Sequence, residues 1–215
     1  MAQATAQPKN FGFGEDECAL KDIAKKFFQD NLPTNQLHSL VAADSSAMRS
    51  GQCCWDLGLW QQVVDLGWLM AAVPERAGGL GMSAVAVAGL VEEVGQAAFP
   101  YPLISTLNTT YILKACNSQP AEQALGYIVQ GKSFSYASCN RHGSWEHIES
   151  DLVVENGVIN GSVYFVQDAQ KVDYFLVNAK TDSKVVLYVI DANAQGLAIN
   201  PNSIVDLTRD QATLV

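Results

Sequence analysis

The hydrophobic pattern of this chain changes period once, near Gly131, and that change restricts the folds open to it. Before Gly131 the apolar residues recur at helical spacing. Leu20, Ile23, Ala24, Phe27 and Phe28 form one stripe between Glu15 and Asn31, with Lys21, Lys25 and Lys26 off it. Pro33 predicts the end of that helix. Residues 34–54 are small and polar and read as a connecting segment. A helix from Trp55 to Leu66 follows, with Leu59, Trp60, Val63 and Val64 on one face and Gly67 as its cap. After the turn Ala77-Gly-Gly-Leu-Gly81, the Ser83 hydroxyl is placed to cap a helix over 84–98. That helix is apolar almost all round, which predicts a central position; only Glu92, Glu93 and Gln96 need a wet or paired side. Helices over Leu103–Ala115 and Pro120–Gln130 complete this half, with Pro120 suited to a first turn.

After Gly131 the pattern becomes strand-like. Phe134 and Tyr136 alternate with small residues. Leu152-Val-Val-Glu155, Asn156-Gly157 and Val158-Ile159 form a hairpin signal, because Asn-Gly supplies the positive φ of a tight turn. Tyr164–Val166, Tyr174–Val177 and Val185–Ile190 read as further strands, rich in β-branched and aromatic residues, and Asp191 to Gly196 turns the chain into Leu197–Asn200. Ala212–Val215 looks like the opening of another strand, which suggests that the natural protein continues. The expected fold class is α+β: an all-α helical bundle over residues 1–131, then an antiparallel β-barrel or sandwich over residues 132–215.

Composition removes several functions. A net charge of −9 and a pI near 4.7, with no Lys/Arg cluster, argue against nucleic acid. No stretch approaches the ~20 apolar residues that span a bilayer. The first ten residues carry neither a signal core nor an Arg-rich amphipathic pattern, so the expected location is cytoplasmic. The five cysteines (Cys18, Cys53, Cys54, Cys116 and Cys139) form no C-x-x-C pair and read as thiols.

No self-sufficient catalytic constellation emerges. Cys139, His142 and His147 match no zinc spacing, so no metal is expected. There is no G-x-S-x-G elbow. A Cys139–His142 nucleophile pair rests only on nearness in sequence. Glu92 and Glu93 are neighbours on a helix and point about 100° apart. Gly78-Gly79-x-Gly81 could cradle a phosphate, but it lacks the Lys-Ser/Thr of a P-loop and reads better as a tight turn between packed helices.

The order of motifs adds more. The run Leu66–Ser83, followed by Val91-Glu-Glu-Val-Gly95, resembles the "vPe.yGG.G.s" turn and "eElg" helix of the acyl-CoA dehydrogenase family. Tyr136–Trp145 is similar to the family loop A-L-T-E-P-G-A-G-S-D, with Ser138 at the threonine and Gly143-Ser144 at the Gly-Ser. Ile159–Ala169 resembles the family strand "l-n-G-t-K-.-f/w-I-t-n-a", and Val172–Val177 its "aD.llv.a" strand. Asp206-Leu-Thr-Arg209 resembles a segment of members acting on steroid side chains. The resemblance implies FAD as cofactor and α,β-dehydrogenation of an acyl-CoA thioester. An electron-transfer flavoprotein or similar acceptor and a homo- or hetero-oligomer are implied as partners. It implies cofactor-binding positions at Tyr136, Ser138, Ser144, Phe165, Val166 and Gln167, with Ser144 also touching substrate. It assigns no catalytic residue here, because the family's glutamate base lies in a C-terminal helical domain beyond this stretch. Departures stand beside it: Cys139-Asn140 replaces Glu-Pro, Trp145 the Asp, Val163 the Lys, and Gln167 the Thr. They keep open a second reading, a degenerate subunit or acyl-CoA-binding module of a heteromeric dehydrogenase.

Overall fold

The computed structural model describes residues 12–42, 56–182 and 184–215. Cys53, Cys54 and the expected helix start at Trp55 lie outside them. Six α-helices precede eight strands among the described residues. The helices are α1 (Glu15–Asn31), α2 (Thr34–Ala42), α3 (Leu57–Asp65), α4 (Ala84–Gln96), α5 (Leu103–Ala115) and α6 (Gln119–Val129). Helix α2 corrects the expectation of a connecting segment: Leu37 and Leu40, three residues apart, pack on the core and give this polar stretch one anchored face. In α1 the stripe is narrower than expected. Ala24 and Phe28 are buried, but Ile23 is 55% exposed.

The caps follow the side-chain chemistry. Asp56 accepts from the N–H groups of Gly58 and Leu59 at the start of α3, and Ser83 accepts from Ala86 N–H at the start of α4. Gly67 takes φ 74° just past α3, where a Cβ would be strained. Helix α4 is central, with Val87, Leu90 and Val94 buried against α1 and the following chain. Its two carboxylates part as their positions demand: Glu92 is exposed and pairs with Lys21 at 2.6 Å, whereas Glu93 is buried and takes Lys21 at 3.7 Å.

The strands are β1 (Phe134–Ala137), β2 (Val153–Glu155), β3 (Val158–Asn160), β4 (Val163–Gln167), β5 (Tyr174–Lys180), β6 (Val185–Asp191), β7 (Ile199–Pro201) and β8 (Gln211–Leu214). The Asn156-Gly157 hairpin is present, with both residues at positive φ. The domain is mixed rather than purely antiparallel. β5 runs antiparallel to β6 but parallel to β1 and, at Val153–Lys180, to β2. Parallel pairing needs a long crossover, and the chain between β1 and β5, which contains β2, β3 and β4, supplies it. The second sheet, β4-β8-β7, is antiparallel. Both sheets feed one core that includes Ala137, Val163, Val166, Phe175, Val177, Ala212 and Leu214.

Helix α5 docks the β domain. The Thr106 hydroxyl donates to Pro102 C=O at 2.7 Å and accepts from Phe134 N–H at 3.0 Å, so one buried side chain ties the helix to the first residue of β1. Helix α5 is neither strongly apolar nor one-sided: Ser105, Thr106, Thr109 and Thr110 are buried. The threonines return hydroxyls to carbonyls four residues back, which removes their desolvation cost.

Candidate functional site

A cleft of about 580 Å³ opens where β1, β4 and α5 meet. Strand β4 shapes it through one backbone irregularity. Val163 pairs with Leu214 and Val166 with Ala212, so three steps on β4 oppose two on β8. The extra residue is a bulge, and Phe165 within it takes φ 56°. A bulky side chain in the left-handed region costs about 1–2 kcal/mol, which is why glycine usually fills such positions. The bulge also breaks the in–out alternation. Val163 and Val166 stay in the core, while Tyr164, Phe165 and Gln167 all line the cleft. Phe165 is left 46% exposed. Neighbouring hydrogen bonds hold the strand in place: Tyr164 N–H donates to Cys139 C=O at 2.9 Å, and Ser135 Oγ to Gln167 C=O at 2.7 Å.

Five of the six positions singled out by the motifs meet here. Tyr136, Ser138, Phe165, Val166 and Gln167 line the cleft. Ser144 is not among its lining residues; its hydroxyl accepts from Glu146 N–H at 3.3 Å within the neighbouring loop. That loop is organised by Asn140, which is 6% exposed. Its Oδ1 accepts from the N–H groups of His142 and Ser144 at 2.9 and 3.0 Å, and its Nδ2 donates to Glu149 C=O at 3.2 Å. Asn140 stands where the family motif has proline. Side-chain hydrogen bonds thus fix here what ring rigidity fixes there.

Sequence reasoning did not assign the remaining lining residues: Ser105 and Asn108 from α5, Ser135, Ala137, Cys139, Gly143, Trp145, Tyr164 and Gln211. Trp145 is 80% exposed. It had stood out only as a replacement for an acidic residue. Burial pushes the Cys139 thiol up, partly offset by a hydrogen bond from Trp145, which opposes the nucleophile reading. Among the described residues no group of three or more His, Cys, Asp or Glu could hold a metal. Among the described residues no helix is long and apolar enough to cross a membrane.

The glycine-rich turn has no donors left for a phosphate. Gly78 N–H goes to Glu75 C=O, Gly79 N–H to Pro74 C=O, and Gly81 N–H to Val73 C=O. A second cavity of about 470 Å³, between the β2–β3 hairpin and the segment before β7, is lined by apolar residues, glycines, Asn160 and Gln195, with no charged residue.

The main cleft's donor set selects a kind of ligand. Its walls are apolar and aromatic: Ala137, Val166, Phe165, Tyr164 and Trp145. Its polar groups are neutral hydroxyls and amides: Ser138, Gln167, Asn108 and Gln211. A flat heteroaromatic ring with hydrogen-bonding edges, such as a flavin ring, matches both. A phosphate has no cationic partner among the lining residues.

Comparison with known proteins gives a consistent result. A family model described as acyl-CoA dehydrogenase, N-terminal domain, matches residues 14–132. The chain superposes on an acyl-CoA dehydrogenase complexed with FAD from Bacillus anthracis with a TM-score of 0.76 at 18% identity, covering 95% of this chain and 36% of that one. It superposes on the ChsE4-ChsE5 complex from Mycobacterium tuberculosis with a TM-score of 0.76 at 19% identity, covering 94% and 54%. The Tcur3481-Tcur3483 steroid ACAD gives a TM-score of 0.74 at 23% identity, covering 94% and 55%. The chain therefore spans about half or less of the length of the solved structures it matches, and at these identities the likeness concerns the fold.

Proposed function

We infer, because the chain belongs to the acyl-CoA dehydrogenase family, that its cleft holds the ring of FAD and that the protein takes part in α,β-dehydrogenation of an acyl-CoA thioester. One observation carries this: Phe165 is held at positive φ in a bulge, half exposed, on the wall of a cleft that also presents Ser138 and Gln167. Local strain of this kind concentrates at ligand sites, where the surroundings over-determine it.

Bound there, FAD supplies the two-electron acceptor for hydride leaving the β-carbon of the thioester. The chain's own residues bind and orient. The Phe165 ring offers a flat apolar face, and Val166 seals the floor beneath it. The Ser138 hydroxyl and Gln167 amide offer hydrogen bonds to the ring edge, and Tyr136 lines the β1 side. Ser144, in the adjoining loop, is assigned by its motif to the anionic part of the cofactor and to the thioester. The apolar walls exclude water and so strengthen these hydrogen bonds. No carboxylate lines the cleft among the described residues, so we assign no catalytic base to them. The cytoplasm, an electron-transfer flavoprotein as acceptor, and a homo- or hetero-oligomer belong to this same reading.

A steroid side chain is the substrate class we favour, from Asp206-Leu-Thr-Arg209 and the similarity to a steroid dehydrogenase pair. A second reading, a subunit that binds without catalysing, is favoured by Trp145 and Cys139-Asn140 in place of the motif's acidic and proline residues. The test is to add FAD to the purified protein, follow its absorbance, and then add steroid-side-chain and straight-chain acyl-CoA thioesters. Bleaching of bound flavin supports dehydrogenation. Binding without bleaching supports the second reading. Failure to bind FAD, alone or with any co-purifying chain, rejects the flavin assignment.

A further inference from the structure

Behind the cleft lies a buried ionic cluster that the proposed chemistry does not use. Asp168 follows Gln167 directly, is 5% exposed and takes φ 54°. Its carboxylate accepts the hydroxyl of Ser105 from α5, and Ser105 itself lines the cleft. Its backbone N–H donates to Asp210 C=O at 3.2 Å. Three further charged groups face it, all from the β domain. Lys171 donates to Pro100 C=O at 2.7 Å and lies 3.7 Å from Asp210 Oδ1. Asp210 Oδ2 accepts from Gln170 N–H at 3.1 Å, and Arg209 donates to Phe99 C=O at 3.1 Å. Helix α5 presents Ser105 and the uncharged Asn108 on this side and no titratable group.

This arrangement answers a question the strained strand raises. Two left-handed residues within four positions, Phe165 and Asp168, do not persist unless contacts on both sides fix them. Ser135 and Cys139 grip β4 from the β1 side. From the helical domain, the Ser105 hydroxyl of α5 grips Asp168, the residue directly after β4, and the Lys171–Pro100 bond ties down the same turn three residues on. Resting on the flavin reading of the cleft, we propose that Asp168 is a positioning residue: through Ser105 it clamps the end of β4 to α5 and so holds the Phe165 ring and the Gln167 amide against the bound cofactor. The family motif carries asparagine at this position. Asparagine can accept the same hydrogen bond but cannot titrate, so in this chain the clamp also senses protons. Burial and then Asp210 push the Asp168 carboxyl up to about 6. Near neutral pH a small change therefore alters the charge on the group that Ser105 grips.

The experiment titrates the 215-residue chain with riboflavin, which carries the flavin ring without a titrating phosphate, at about pH 5 and about pH 8, either side of the carboxyl's pKa. Asp168→Ala and Ser105→Ala are expected to weaken riboflavin binding about tenfold, the equivalent of one lost hydrogen bond. Asp168→Asn is expected to keep the affinity and to abolish the difference between the two pH values. A structural role alone would lower the melting temperature and leave the pH step intact. Wild-type affinity in Asp168→Ala and Ser105→Ala, or a pH step that survives in Asp168→Asn, overturns the proposal. If the wild type binds no flavin, the flavin reading has failed, and amide chemical shifts of Val166 and Gln167 decide the clamp alone. They must move in Ser105→Ala and in Asp168→Ala, and unchanged shifts overturn it.

Discussion

Gly79→Ala is the sharpest test of how the helical domain is packed. A Cβ on Gly79 would lie 2.3 Å from both Val73 Cβ and Val73 O and 2.7 Å from Val73 C. None of these atoms is the free end of a side chain. Val73 is fully buried, its N–H is bonded to Met70 C=O, and its carbonyl holds Gly81 N–H at 2.8 Å. Relief therefore requires moving backbone, at an overpacking cost of about 3 kcal/mol, plus about 1 kcal/mol if the Gly81 bond breaks. Gly95 provides the control. It is exposed in α4, and nothing lies within 4 Å of its added Cβ, so Gly95→Ala should stabilise by about 0.5–1 kcal/mol through helix propensity. The two substitutions add the same methyl group to the same domain with opposite expected sign. Urea unfolding followed by tryptophan fluorescence reads both, since Trp60 and Trp68 are buried in that domain. At roughly 2–4 °C per kcal/mol for a chain of this size, Gly79→Ala should melt about 8–16 °C lower. A Gly79→Ala protein within 1 kcal/mol of wild type would refute the close-packing account of the turn and reopen it as a ligand loop.

Four other outcomes follow from the same contacts. Asp168 holds its proton in the fold at pH values where the unfolded chain has released it, because its carboxyl is raised from 3.8 to about 6. Wild-type stability is therefore lost as pH rises through that window, and Asp168→Asn should match wild type near pH 3.5 but exceed it by roughly 2–3 kcal/mol at pH 7.5; a gap that instead widens toward acid pH is the wrong sign. Thr106→Val leaves Phe134 N–H buried without its acceptor and should cost about 2 kcal/mol in chemical denaturation, whereas an unchanged midpoint would mean that the helix–strand junction does not depend on this bond. Phe165→Gly relieves the bulge strain, so stability should hold or rise by about 1 kcal/mol while flavin affinity falls; parallel loss of both would make Phe165 an ordinary core residue. Asp56→Ala should lower stability by about 1 kcal/mol through loss of the α3 cap, measured by thermal melting.

The sequence by itself determined the local structure. Helical periodicity placed α1 and α6, Asn156-Gly157 fixed the hairpin, and Ser83 capped α4, because each signal is carried by residues close in the chain. The motifs also brought Tyr136, Ser138, Phe165, Val166 and Gln167 forward as one set. It could not show α2, whose polar sequence is held by two leucines against a core that exists only once the fold forms. Nor could it show the parallel pairing of β1 with β5, because periodicity does not encode strand direction. Tertiary structure alone decided that Phe165 sits at positive φ on the cleft wall, that Asn140 braces the loop where the motif has proline, and that Asp168 meets Ser105 across 63 residues of chain. Those contacts join distant segments, and the strain and raised pKa they create come from burial, which belongs to the packed molecule rather than to any stretch of sequence.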